Sequence, residues 1–157
     1  MSTFISKNVP ILSKQGVRNI KWQIDDSFLR FWFRFVYPYQ GLIESNRTSL
    51  LLQYVSDNYM LFTGKTLERF YHDLAMQNGR YTRIGNWWDK KGENEIDMVA
   101  LNEFERMGVI AEIKRNPKKL SLSVLETKAA LLSSVLKGYK IELRLLSLED
   151  ICTIRTL

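Results

Sequence analysis

Cysteine and histidine are almost absent from the sequence: among 157 residues there is one of each, Cys152 and His72. A single cysteine cannot form an internal disulfide, and one cysteine with one histidine cannot supply the ligands of a zinc cluster. The sequence therefore excludes a disulfide-stabilised scaffold and a zinc finger. We expect a reducing, cytoplasmic compartment.

Long apolar runs are also missing. The densest run, FLRFWFRFVY, carries Arg30 and Arg34, and it is shorter than the ~18 residues that a membrane-spanning helix needs. We therefore expect no membrane partner.

What the chain does have is an excess of basic residues, 23 Lys and Arg against 17 Asp and Glu, for a formal net charge of +6. This excess favours a polyanion such as DNA as a partner, with ordinary solubility as the alternative explanation.

The sequence pattern divides the chain into three predicted regions. The first contains VPIL, a turn at Gly16 and the alternating IKWQI, which predict a strand-turn-strand connector. The second is helical, and the third combines helical segments with segments that alternate with period two. We place the boundaries of these regions at 1–25, 26–63 and 64–157.

Two helices are predicted in the second region. One covers SFLRFWFRFVY, with Asp26 or Ser27 as its N-cap and Pro38 as its stop, and the other covers SLLLQYVSDNYMLF. Aromatic residues at helical spacing are typical of packing in a core or an interdomain interface. Stacking of nucleic-acid bases between these aromatics and arginines is the alternative.

The third region predicts a mixed α/β fold. It begins with a helix that ends at Gly79, and a later helix starts at Ser121 or Ser123 and ends at Gly138. The predicted order is helix, three-strand antiparallel meander, helix and strand, with the additional helices N-terminal to it. The strands are predicted over YTRIGNWW, NEIDMVALN, MGVIAEIKR and YKIELRLLSL.

Charged residues interrupt two of these apolar strands. If the hairpin between them is centred between residues 104 and 105, antiparallel pairing sets Asp97 opposite Glu112 and Glu95 opposite Lys114. Like charges at facing positions are destabilising, so the two carboxylates need compensation by a shifted pKa or a bound cation. Oxygen ligands without histidine or cysteine suit Mg²⁺ or Mn²⁺.

Lys114 adds an ammonium beside this predicted metal site. Such a group would orient or deprotonate a water molecule and stabilise the pentavalent transition state of phosphodiester hydrolysis. The alternative is that Glu95, Asp97, Glu112 and Lys114 are only the solvated face of an antiparallel sheet, with opposite charges in pairs.

The sequence EID followed by EIK resembles the active-site signature of the PD-(D/E)XK nucleases, the restriction-endonuclease-like superfamily. The segments DDSFLRFWFRFVYP, IGNWWDKKGENEIDMVA and AEIKR together resemble the C-terminal domain of archaeal and bacterial AAA+ ATPases, known as domain of unknown function 234. The resemblance extends from about Val9 to Leu148.

The resemblance implies a restriction-endonuclease-like core and a metal-dependent DNA endonuclease. In that interpretation Asp97 and Glu112 are metal ligands, Lys114 is the catalytic lysine, and Glu68 of the first core helix completes the site as a further ligand. An exposed helical glutamate is the alternative for Glu68. Phosphate contacts are expected from the basic residues that follow Lys114, with a solvated charge run as the alternative; these residues are Arg115, Lys118 and Lys119.

The resemblance also implies partners. In that family an ATPase module and a winged-helix segment precede this region, so residues 1–25 are interpreted as a remnant of the wing and its connector. The ATPase is then expected in cis, in a longer gene product, or in trans. A noncatalytic DNA-binding or protein-docking module that partners a AAA+ ATPase is the alternative function, and a homodimer is left open. The segment TGKT does not indicate a P-loop, because Tyr59 stands where that motif requires glycine.

Overall fold

The computed structural model describes residues 4–13 and 19–152. The chain forms two compact units, and each unit is built from two stretches of sequence. The first unit comprises Met1–Asn8 and Ile20–Thr66, and the second comprises Val9–Asn19 and Leu67–Leu157.

The first unit opens with a two-stranded antiparallel sheet. Strand β1 (Ile5–Asn8) pairs with β2 (Lys21–Ile24). The second strand confirms the prediction over IKWQI, but its partner lies before VPIL and not within it. Residues 11–12 of VPIL form a turn, and the predicted turn at Gly16 lies outside the described residues. Helices follow: α1 (Ser27–Phe31), a π-helical segment (Trp32–Val36), a 3₁₀ turn (Tyr37–Tyr39) and α2 (Gln40–Glu44).

The aromatic helix begins as the sequence predicts. The carboxylate of Asp26 accepts a hydrogen bond of 2.8 Å from the backbone N–H of Leu29, which is the geometry of an N-cap. Phe35 is fully buried, and its ring lies within 5.3 Å of Phe62 and 5.1 Å of Phe31, between ring centroids. Packing therefore accounts for the buried face of this helix.

A single 30-residue helix, α3 (Thr48–Gln77), occupies the region where the sequence predicts two. The predicted break at TGKT is wrong. A lone glycine costs a helix only ~1 kcal/mol, and no proline accompanies Gly64 to stop it. The TGKT segment lies inside this helix, so it does not form the phosphate-binding loop of a P-loop protein. No helix among residues 4–13 and 19–152 combines the length and the apolarity needed to cross a membrane.

The second unit contains a four-stranded mixed sheet in the order β3-β4-β5-β6. The first three strands are antiparallel and β6 is parallel to β5, which confirms the predicted meander, helix and strand. The β4–β5 pairs run from Met98↔Ala111 to Asn102↔Met107, so the hairpin is centred between residues 104 and 105, as predicted. The bounds are β3 (Arg83–Trp88), β4 (Glu95–Asn102), β5 (Met107–Lys114) and β6 (Lys140–Ser147).

The helix between β5 and β6, α4 (Leu122–Ala130), is shorter than predicted. It starts at the predicted cap, where Ser121 Oγ accepts from the N–H of Val124 at 3.5 Å. After Ala130 the backbone forms turns whose N–H groups mostly bond three residues back, as Leu132 does to Ala129 at 2.9 Å. The chain then reaches Gly138 in the left-handed region at φ +85°. The prediction that this helix continues to Gly138 is therefore wrong.

Apolar side chains cover both faces of the four-stranded sheet. One face packs against the C-terminal part of α3, through residues such as Tyr71 and Met98, and the other packs against α4, through residues such as Leu125 and Ile110. Tyr71 also donates a hydrogen bond of 2.7 Å to the carbonyl of Ser147 in β6. The sheet is thus held between two helices, and its strand ends carry the polar residues.

Gly108 of β5 is required by close packing within the sheet. A Cβ atom at this position would lie 2.6 Å from Leu101 Cδ2 and 2.7 Å from the carbonyl oxygen of Ala100. We expect Gly108→Ala to lower the free energy of unfolding by ~1–3 kcal/mol, because a backbone oxygen cannot move aside. Urea denaturation measures this loss. The matched control is Gly64→Ala, where no outside atom lies within 4 Å of the added methyl group, and an unchanged or higher stability is expected there. Equal effects of the two substitutions would contradict the prediction.

Candidate active site

A β-bulge sets the position of Asp97. Between its pairs with Val99 and with Ile96, strand β3 advances two residues while β4 advances three, so β4 carries an extra residue at 97–98. Two side chains bond to the backbone carbonyl of Asp97 at the bulge: Asn86 Nδ2 donates at 2.7 Å and His72 Nε2 lies at 2.8 Å. A carbonyl only accepts, so His72 carries its proton on Nε2. Bulges of this kind redirect side chains near active sites.

The carboxylate of Asp97 connects β4 to β5 just beyond the last backbone pair of the β4–β5 ladder. The last paired residues are Met98 and Ala111. Beyond them, Asp97 Oδ2 accepts a hydrogen bond of 2.8 Å from the backbone N–H of Ile113. The side chain of Asp97 therefore binds directly to the strand that carries Glu112 and Lys114.

Two lysines and two carboxylates form one cluster at this strand end. Lys114 Nζ lies 2.7 Å from Asp97 Oδ2 and 2.9 Å from Glu112 Oε1. Lys128 Nζ, from α4, lies 2.9 Å from Glu112 Oε2 and 3.1 Å from Glu112 Oε1. Asp97 and Glu112 are 5% and 7% exposed, so both carboxylates are nearly removed from solvent. Buried charges of this kind are stable only when they are paired.

The ammonium of Lys114 is held in its charged form by these neighbours. Burial by itself lowers the pKa of Lys114, but hydrogen bonds and attraction from Asp97, and then from Glu112, outweigh burial and raise the pKa above its ordinary value. At neutral pH Lys114 is therefore a cation and not a free base.

The three residues of the predicted signature thus meet in space. Asp97 and Glu112 share one ammonium, and each is the next residue beyond the last β4–β5 pair, Met98↔Ala111, so the predicted cross-strand pairing of the two acids is not part of the ladder. The predicted Glu95–Lys114 pair is wrong, because the β4–β5 ladder ends before it and Glu95 pairs with Trp88 of β3. The side chain of Lys114 instead contacts Asp97 and Glu112.

Glu68 lies on the part of α3 that packs against the sheet. It is one helical turn before His72, so the two side chains share a face of the helix. Because His72 reaches the backbone of Asp97, this face is directed toward the cluster. Glu68 is half-buried, and its role as a further ligand stays a prediction.

The predicted phosphate contacts follow the cluster along the chain. Arg115 is half-buried directly after β5, and Lys118 and Lys119 are exposed on a single 3₁₀ turn, Pro117–Lys119. Asn116 fixes the start of this turn, since its side-chain oxygen accepts from the N–H of Lys118 at 3.0 Å. Two exposed cations therefore stand close in sequence to Lys114.

The donor set fits a hard divalent cation. Mg²⁺ is usually held by one or two carboxylates and completes its shell with water and phosphate oxygens. Asp97 and Glu112 supply two carboxylates, and the Lys114 ammonium contacts both of them in this structure. Within residues 4–13 and 19–152, no three His, Cys, Asp or Glu side chains converge as a metal site. Glu68, the predicted further ligand, therefore does not converge with Asp97 and Glu112 in this structure.

Comparison with known proteins identifies the family. The profile of domain of unknown function 234, described as archaeal and bacterial proteins of unknown function, matches residues 32–127, more than half of the chain. The chain belongs to the domain of unknown function 234 family. The matched range contains Glu68, Asp97, Glu112 and Lys114, and it ends one residue before Lys128.

One relative in this comparison is the uncharacterized protein MJECL04 of Methanocaldococcus jannaschii. It is 28% identical over 118 residues, which cover 71% of this chain and 26% of the relative. This member of the domain of unknown function 234 family therefore spans about a quarter of the length of the curated relative that it matches. No solved structure matches the chain.

Sequence reasoning missed Lys128, His72 and Asn86 as members of the site. A signal for Lys128 does exist in the sequence, since it stands at helical spacing between two leucines that are buried in the structure, Leu125 of α4 and Leu132 of the turns that follow α4. A lysine in that position needs a buried anion. His72 and Asn86 carry no such signal, because they bind a backbone carbonyl that only the bulge makes available.

The shared carbonyl of Asp97 predicts an energetic coupling between His72 and Asn86. Each of His72→Ala and Asn86→Ala is expected to cost ~1 kcal/mol of stability, because the carbonyl keeps one donor. The double variant is expected to cost ~0.5–1 kcal/mol more than the sum, because the carbonyl then loses both donors. Urea denaturation of the four proteins of this cycle measures the coupling. Additive losses would show that the two side chains act independently.

Proposed function

We propose that the second unit is a metal-dependent DNA endonuclease of the PD-(D/E)XK, restriction-endonuclease-like type. One observation carries the proposal: two nearly buried carboxylates, Asp97 and Glu112, share the ammonium of Lys114 just beyond the end of the β4–β5 ladder. The mixed sheet between two helices, with the acids on adjacent antiparallel strands, is consistent with such a core.

The charges of the side chains in the cluster determine the role that we propose for each of them. Asp97 and Glu112 would hold Mg²⁺ or Mn²⁺, with Glu68 as a further ligand. The bound metal would supply Lewis-acid polarisation of the phosphodiester and a more acidic water. Lys114 would stabilise the negative charge that develops on the phosphoryl oxygens. Its raised pKa favours this role over removal of a proton from water.

His72 and Asn86 would act through Asp97. Both bind its backbone carbonyl, and they therefore fix the bulge from which the carboxylate projects. The backbone N–H of Ile113 holds the carboxylate itself. Preorganisation of this kind lowers the cost of assembling the charged site around a substrate.

The proposed substrate is DNA. The basic turn with Lys118 and Lys119, together with Arg115, would contact the phosphates that flank the scissile bond. A AAA+ ATPase module, in cis in a longer chain or in trans, is proposed as the partner that would present or move this DNA. The length of the M. jannaschii relative, of which only 26% lies within the match, is compatible with such a module.

Substitution of Lys114 tests the catalytic assignment. Supercoiled, linear and branched DNA are incubated with the protein in Mg²⁺ and in Mn²⁺, and cleavage is followed on gels. We expect Lys114→Ala to reduce the cleavage rate by ~10²–10³-fold, as for loss of one charge-stabilising donor.

Lys137→Met is the matched control for this assay, because it removes an exposed lysine after α4 and leaves the cluster intact. Its cleavage rate should equal that of the unaltered protein. Cleavage that survives Lys114→Ala would refute the catalytic role of Lys114, and absence of cleavage on every substrate would favour a noncatalytic role for the protein.

A noncatalytic DNA-binding or protein-docking module is the second candidate. The observation in its favour is the aromatic surface of the first unit, where Phe28 and Phe33 are 66% and 49% exposed. Exposed aromatics of this kind are enriched at protein interfaces. In this alternative the cluster around Lys114 would serve stability alone.

DNA affinity as a function of salt and metal separates the two candidates. We expect the affinity to fall with salt, and we expect Lys118→Gln with Lys119→Gln to reduce the slope of log K against log salt by about 2, or ~1 per phosphate contact. Fluorescence anisotropy with a labelled duplex measures both quantities. A nuclease should bind more tightly when Mg²⁺ replaces a chelator, whereas affinity that is indifferent to metal would support the noncatalytic module.

A further inference from the structure

We propose that the ammonium of Lys128 forms an ion pair with Glu112 in the free protein. When a divalent cation binds Glu112, this ammonium moves away and pairs with a DNA phosphate. This inference rests on the proposed function. It deepens that function by making metal binding and phosphodiester binding depend on each other through one side chain.

The position of Lys128 is the first observation. Its side chain is 18% exposed, and it lies on α4 one turn after the buried Leu125, with the buried Leu132 just beyond the end of the helix. A lysine in such a position carries a large desolvation cost unless it meets an anion. Glu112 is that anion, at 2.9 and 3.1 Å from Nζ. The remaining exposure leaves Nζ a route toward solvent or a ligand.

The second observation is that the lysines engage both oxygens of Glu112. Lys114 contacts Oε1, and Lys128 contacts Oε2 most closely. A metal ion that binds Glu112 needs at least one of these oxygens at a shorter distance, ~2.0–2.1 Å for Mg²⁺. Two ammoniums close to these oxygens would repel the bound cation, and this repulsion favours withdrawal of one lysine. Lys114 is held by Asp97 as well, at 2.7 Å, whereas Lys128 joins the cluster through Glu112. Lys128 is therefore the lysine that we expect to withdraw.

Charge balance gives the direction of the transfer. Asp97 and Glu112 offset Lys114 and Lys128, so the four side chains together are close to neutral. A divalent cation added to these four side chains leaves an excess of two positive charges in a half-buried place, or of one where Glu68 also binds it, and either excess is unfavourable. An anionic phosphodiester restores the balance, and its oxygens are the acceptors that a displaced ammonium needs. Metal and phosphate should therefore bind cooperatively, and each should raise the affinity of the other by the same factor.

Mn²⁺ binding measures this coupling without any need for turnover. Free Mn²⁺ is counted by electron paramagnetic resonance during titration of the protein, alone and with a short DNA duplex. The duplex titrated by itself gives the background, and a gel checks its integrity. For the unaltered protein we expect weak Mn²⁺ binding that tightens about tenfold with DNA, which corresponds to ~1.4 kcal/mol of coupling.

Lys128→Met should change both features. Without the competing ammonium, Mn²⁺ should bind the protein alone about tenfold more tightly, and DNA should then add less than about threefold. Lys128→Arg keeps the charge and should behave as the unaltered protein does. Lys137→Met, which removes an exposed lysine outside the cluster, should also leave both affinities unchanged. If Lys128→Met does not fold, Lys128→Gln is tested in its place, because glutamine keeps a donor for Glu112 without the charge.

The outcomes distinguish a failure of this inference from a failure of the proposed function. If the unaltered protein binds Mn²⁺ but Lys128→Met changes neither the affinity nor its dependence on DNA, the role of Lys128 is refuted and the metal site stands. If the unaltered protein binds no Mn²⁺ with or without DNA, the proposed metal-dependent function fails, and the inference fails with it.

Discussion

The second unit depends on one electrostatic constraint: two carboxylates are buried at the end of a sheet, and they need cations within hydrogen-bonding distance. Lys114 meets this need for both Asp97 and Glu112. The constraint explains the irregular backbone around it. The bulge in β4, the end of the β4–β5 ladder and the bond from Ile113 N–H to Asp97 all bring the acids to one point. A regular ladder would have continued past this position and paired Asp97 with β5 through its backbone instead of its side chain.

Local periodicity made the hairpin predictable from sequence. Side chains alternate along strands, so the spacing of charges in EID and EIK was enough to find the centre of the hairpin and to bring Asp97 and Glu112 to the same end of the β4–β5 pair. Periodicity could not reveal the bulge, because the extra residue of β4 is stabilised by His72 and Asn86, which are distant in sequence. For the same reason the expected Glu95–Lys114 pair failed, since it required a regular ladder.

The helices show a similar division between local and nonlocal causes. The caps at Asp26 and Ser121 were readable because each is a contact within three residues. The lengths of the helices could not be predicted from such local contacts. Gly64 does not interrupt α3, and α4 tightens into turns after Ala130. The role of Lys128 also depends on a nonlocal contact. Its place between two leucines at helical spacing marks it as unusual, but its partner Glu112 becomes apparent only when α4 lies across the sheet.

Membership of the domain of unknown function 234 family does not name an activity, so the energetic cost of the cluster is the better guide to function. Replacing a buried ion pair with apolar side chains of similar volume is often neutral or stabilising. A sheet that served only as a docking scaffold would therefore gain little from four charged side chains at the end of its central strands. Their presence is easier to explain by a ligand that needs them. Two carboxylates attract a hard cation, and two ammoniums attract an anion. The phosphodiester and divalent cation that we propose as ligands would satisfy both halves of the cluster at once.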